Sequence, residues 1–183
     1  TWTDPEILKQ LPDQAAWAPS MMVHRGQAHI FWFSSRDRHR YRKVNRLLST
    51  GADGRSFTED REIIGDWNGP RGVDIRHGTV LRDGRVLLPI AWMDPIGDFD
   101  PDTWVDPGTN SRYGNFGWGG IAQNNQYCVG VMEVNEAFTE FTPHGRVCKK
   151  MPDWEIPGVP FFENAIADLD GDRVAMLIRA ALT

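Results

Sequence analysis

The tightest constraint on this chain is a short pattern that occurs three times: an apolar run, a turn centred on glycine, and a second, more apolar run. In the copy nearest the C-terminus, Ala165, Ile166, Ala167 and Leu169 lead into Asp170-Gly171-Asp172, and Val174 to Ile178 follow. Asp-Gly between apolar runs signals a β-hairpin, because glycine takes a positive φ without a Cβ clash. In the middle copy Gly78 to Leu81 precede Arg82-Asp83-Gly84-Arg85 and then Val86 to Trp92. In the first, Ser20 to His24 precede Arg25-Gly26-Gln27 and then Ala28 to Phe33. Val44 to Leu48 read as a third strand of the first unit. Tyr127 to Val134 and the region near Arg146-Val147 read as outer strands of the second.

The turn glycines Gly26, Gly84 and Gly171 are 58 and 87 residues apart. A long insertion in the second unit accounts for the difference, and residues 94–120, rich in Asp, Gly, Pro and aromatics, fit one. Units of about 40 to 50 residues, each enlarged by loops, point to an all-β chain and to a β-propeller. An ordinary β-sandwich with fortuitous Asp-Gly turns is the alternative. The chain supplies about two and a half such units, whereas a closed propeller needs at least four. The remaining blades are therefore expected from further sequence or from another chain. Residues 1–16 read as an N-terminal lead-in with a short helix over Pro5 to Leu11, and residues 17–183 as the partial propeller.

Composition removes several function classes. A net charge of −5 argues against a general nucleic-acid binder, which needs basic excess to neutralise phosphates. No apolar run approaches the roughly 20 residues of a membrane helix. The two cysteines, Cys128 and Cys148, lie ten residues either side of Phe138, the middle of a possible hairpin. A cross-strand disulfide and two buried thiols both fit that spacing. No zinc-ligand spacing is present, and neither a metal nor a cofactor is called for by the residues seen.

Charges gather where the strands begin and end. Glu163 stands before the first strand of the last hairpin and Arg179 closes the second. Folding the turn brings their ends together, so the two are expected to be neighbours. Arg71, Asp74, Arg76 and His77 precede the middle hairpin, and Asp94 ends its second strand, a place analogous to Arg179. The basic run Arg36 to Lys43 reads either as a solvated loop or as a binder of an anionic sugar. Trp104, Tyr113, Phe116 and Trp118 in the insertion read as a sugar-stacking platform or as loop packing.

Three of these features together resemble the sialidase superfamily of six-bladed propellers. Thr50-Gly-Ala-Asp-Gly-Arg-Ser-Phe57 is similar to an Asp-box, Ser/Thr-x-Asp-x-Gly-x-Thr/Ser-Trp/Phe, with Ala52 where the defining Asp belongs. The stretches around Gly84 and Gly171 resemble the family's apolar hairpin, and Glu163 with Arg179 resembles its Glu-then-Arg segment. The resemblance covers about residues 17 to 183 and implies a glycoside hydrolase that cleaves a terminal acidic sugar from a glycan. It implies that Glu163 polarises a tyrosine nucleophile and that Arg179 grips the substrate carboxylate. It places the general acid in the loop after the first hairpin, where Asp37 is the one carboxylate between Asp13 and Asp53. Arg36 beside it, Arg76 and Asp94 would contact substrate. A secreted or periplasmic setting is the family's tendency. One departure stands out: Trp17 occupies the place of the family's first arginine, in Trp17-Ala18-Pro19-Ser20. A non-catalytic carbohydrate-binding propeller, an exo-arabinanase and a polysaccharide lyase are accordingly kept as alternatives.

Overall fold

The computed structural model describes residues 4–35, 44–64, 72–95, 125–150, 162–171 and 173–179. Among them the protein is all-β, with eleven strands in antiparallel sheets, none of them closed. Strands β1 (Ala15–His24), β2 (Gln27–Ser35), β3 (Val44–Ser49) and β4 (Arg61–Glu62) form one four-stranded up-and-down meander. In the second meander β5 (Asp74–Ile75) and β6 (Thr79–Val80) both pair with β7 (Val86–Pro95). Strand β7 then pairs with β8 (Asn125–Val134), and β8 with β9 (Phe141–Lys150). A two-stranded hairpin follows, β10 (Phe162–Asp168) and β11 (Val174–Arg179).

The three glycine turns form as the sequence predicts. Gly26, Gly84 and Gly171 all hold positive φ, at 78°, 91° and 89°. The second and third turns are near copies: the Leu81 and Leu169 amides donate to the carbonyls of Arg85 and Arg173, both at 2.9 Å or less. In each, an aspartate (Asp83 or Asp170) accepts from the backbone and guanidinium of that arginine.

The core lies between the two meanders. Met22, Phe31, Leu47 and Ile63 from the first meet Val73, Ile75, Leu88, Ile90, Trp92 and Met132 from the second. Side chains alternate across a strand, so Leu87 and Ala91, also buried, face away from this core, on the side where β10 packs on β7. That explains why β7 reads as a nearly unbroken apolar run, the pattern of a strand covered on both faces. Asn45 fastens the meanders: its amide donates to the Val73 carbonyl at 2.8 Å and accepts from the Val73 amide at 2.9 Å. Phe138, at the β8–β9 turn, stacks on His29 with ring centroids 3.8 Å apart, and its carbonyl accepts from Arg61.

Several expectations are corrected. Pro5 to Leu11 form no helix. Seven residues are too few to offset helix nucleation without an apolar face to bury, and Ile7 and Leu8 are exposed. Strand β1 begins at Ala15, inside the segment read as a lead-in. The first strand of the middle unit is broken, with Arg76-His77-Gly78 between β5 and β6. The insertion starts later than expected, since Asp94 still pairs in β7 opposite Gln126. Of the two cysteine readings the disulfide holds: Cys128 is disulfide-bonded, and its register partner is Cys148, the chain's other cysteine.

The stretch Thr50 to Phe57 forms a turn between β3 and β4. Thr50 bridges Phe57, and Gly51 donates to the Ser56 carbonyl at 2.8 Å. Asp53 anchors this turn. It accepts from the Arg55 and Ser56 amides and from the Ser56 hydroxyl, and these bonds hold it below the usual carboxylate range.

Candidate functional site

The hairpin turns lie at one end of the sheets and the beginnings of β1, β5 and β10 at the other. Glu163 stands at that second end. It is an extra residue in β10: Phe162 pairs with Arg179 and Asn164 with Ile178, leaving Glu163 between them at φ 56°. A bulge of this kind re-aims a side chain, and a positive φ on a residue other than glycine persists only where the surroundings hold it.

The bulge brings Glu163 between two arginines. One carboxylate oxygen accepts from Arg179 Nη1 at 2.5 Å, and the other lies 3.7 Å from Arg76 Nη2. Arg179 and Glu163 are largely exposed, whereas the Arg76 side chain is only 28% exposed and its Nε is buried with no hydrogen-bond partner among the described residues. Exposed ion pairs contribute little stability, about 0–1 kcal/mol. Two guanidiniums and one carboxylate leave one net positive charge, which suits a single anionic group.

The expected site residues divide clearly. Glu163, Arg179 and Arg76 meet, although 87 residues separate Arg76 from Glu163 in the chain. Asp94 does not occupy the counterpart of Arg179. The matched turns start β7 at Val86 and β11 at Val174, and five residues on from each are Ala91 and Arg179. Ala91 faces Asp74 as Arg179 faces Phe162. His77 is engaged elsewhere, donating from Nδ1 to the Met21 carbonyl at 3.0 Å and so tying β1 to the second meander. Asp37, Arg36, Arg71 and the aromatics of the insertion lie outside the described residues.

Trp17 sits at a matching place in the first unit. Strand β1 also breaks register, between Trp17 and Ser20, with Ala18 at φ 44°. Sequence reasoning missed Asn164, which is 3% exposed. Its signal was a polar residue in the buried phase of an alternating strand, next to a charged one. The link between the second and third turns was missed as well. Asp168 accepts from the Gly171 amide at 2.7 Å and from the Arg82 amide at 2.9 Å. These two bonds hold it below the usual carboxylate range.

No protein-family model matches this chain, and no curated protein matches it.

Proposed function

We propose that the chain is part of a six-bladed β-propeller of the sialidase type. In this reading Glu163, Arg76 and Arg179 belong to a glycoside-hydrolase site for a terminal acidic sugar. Support comes from the strand order of the two meanders and the hairpin, which this reading takes as two blades and half of a third with β1, β5, β6 and β10 innermost. The observation that carries the reading is Glu163 held between Arg76 and Arg179 at the end of the sheets opposite the turns. A sugar carboxylate binds Arg179 bidentately. Glu163, released from that pair, serves as the base that activates a tyrosine from another blade. Asp37 protonates the leaving oxygen, and Arg36 contacts the substrate.

Hydrolysis of 4-methylumbelliferyl N-acetylneuraminide, run beside the glucuronide and the arabinofuranoside, tests this. Release from the sialoside is expected, with a loss of about 10²–10⁴-fold in Glu163→Gln. Activity on the arabinofuranoside instead would replace the acidic-sugar assignment.

A non-catalytic carbohydrate-binding propeller is the second reading. Trp17 favours it, because an indole beside the β1 bulge offers a stacking face where the resemblance leads one to expect a guanidinium. Retained N-acetylneuraminate binding with no hydrolysis of any glycoside would select it.

A further inference from the structure

We propose that Asn164 is the positioning residue of the Glu163 cluster, holding the β10 bulge against the second meander through the Gly130 carbonyl. The role rests on the site reading above, but the geometry stands without it.

Asn164 is nearly fully buried on a face where an apolar residue would be the default. Its Nδ2 donates to the Gly130 carbonyl at 3.0 Å and lies 3.6 Å from Met176 Sδ, while its Oδ1 is buried with no partner among the described residues. A half-satisfied buried amide is costly. The one protein group it reaches across the sheets is therefore what the amide is for.

Gly130 lies beside a second irregularity. Strand β9 carries its own bulge there: Gly130 pairs with Arg146 and Val131 with His144, leaving Gly145 as the extra residue at φ 55°. A Cβ at position 130 would lie 2.6 Å from the Gly145 carbonyl oxygen and 3.1 Å from the Trp92 ring. One side-chain amide thus joins two bulges, and the residue beside it is the strained one that carries the carboxylate. Without that tether only exposed ion pairs oppose the cost of the positive φ at Glu163, and β10 can pair through in regular register. Pairing through places Glu163 directly opposite Arg179, on the exposed face that also carries Leu177, and so takes it away from Arg76 on the second meander.

Asn164→Leu removes the amide at similar volume, and Asn164→Gln keeps a primary amide. The readout is the nuclear Overhauser cross-peak between the Arg76 guanidinium N–H protons and the Glu163 γ-protons in isotope-labelled full-length chain. It is expected in the parent, lost in Asn164→Leu with the thermal midpoint little changed, and restored at least in part in Asn164→Gln. Persistence of the cross-peak in Asn164→Leu overturns the proposal, as does its loss only together with global melting. If Asn164→Leu does not fold, Asn164→Ala is read by the same criteria. Calorimetric binding of N-acetylneuraminate to the parent reports separately on the site: no binding sinks the functional reading and leaves the cross-peak result standing.

Discussion

Hairpins β1–β2 and β10–β11 use the same backbone device for different ends. Both break register near the start of the first strand, one at Trp17-Ala18-Pro19-Ser20 and the other at Phe162-Glu163-Asn164. Both hold a non-glycine residue at positive φ there, Ala18 and Glu163. In the first hairpin the strands behind the break are built into the core, with Phe31 1% exposed and Met22 6%. In the last, one face (Asn164, Ile166, Met176) turns toward the second meander, while Leu177 is 77% exposed across from Ala165. A bulge is thus separable from the burial around it. The repeat supplies the geometry, and the sequence decides what stands in the break: an alanine beside Trp17 in the first hairpin, a carboxylate in the last.

That contrast can be broken most forcefully in the core. Phe31→Ala is expected to cost about 3–5 kcal/mol, and Leu177→Ala no more than about 0.5 kcal/mol. Urea unfolding of both variants checks it, and equal costs would mean the hairpins are equally buried in solution. Next is Gly78, where an added Cβ would lie 2.6 Å from both Met22 Sδ and Leu88 Cδ2. Gly78→Ala should cost about 1–3 kcal/mol by overpacking, measured the same way.

Acid should also single out the first hairpin. Burial, reinforced by His24 and Arg61, lowers His29 to about 4 from 6.5. Its ring nitrogen hydrogen-bonds the Ser49 hydroxyl at 2.8 Å and the ring stacks on Phe138. The unfolded chain then takes up this proton before the folded one does. The contribution is whole above pH 6.5 and is lost as pH falls from 6.5 toward 4. The urea midpoint should fall over that window, and less steeply in His29→Gln. An unchanged slope in the variant would assign the fall to other groups. The one effect of opposite sign is relief at the first break: Ala18→Gly should stabilise by about 1 kcal/mol, because glycine accepts the positive φ. A destabilisation would show that the Ala18 methyl contributes packing there.

The hairpins were legible because their signals are local: Asp-Gly turns and apolar strands on either side need no knowledge of the rest of the chain. The neighbourhood of Glu163 and Arg179 was legible for the same reason, since one turn joins them. Arg76 could be suspected from its place before the middle hairpin, but its approach to Glu163 depends on how β10 packs on β7. The short helix over Pro5 to Leu11 was misread because propensity alone does not supply a surface to bury. The choice between a disulfide and two thiols at Cys128 was left open, because a one-residue change of register would have parted the pair.

By itself, then, the sequence determined an all-β chain of repeated antiparallel hairpins, with an acid and a base closing the last of them. Periodicity of two and glycine turn chemistry act over a few residues and are written directly in the chain. The tertiary structure alone decided that Glu163 lies in a bulge and that Asn164 ties that bulge to Gly130. Each of these depends on where one backbone breaks its pairing with another, and that is set by packing between segments far apart in the chain.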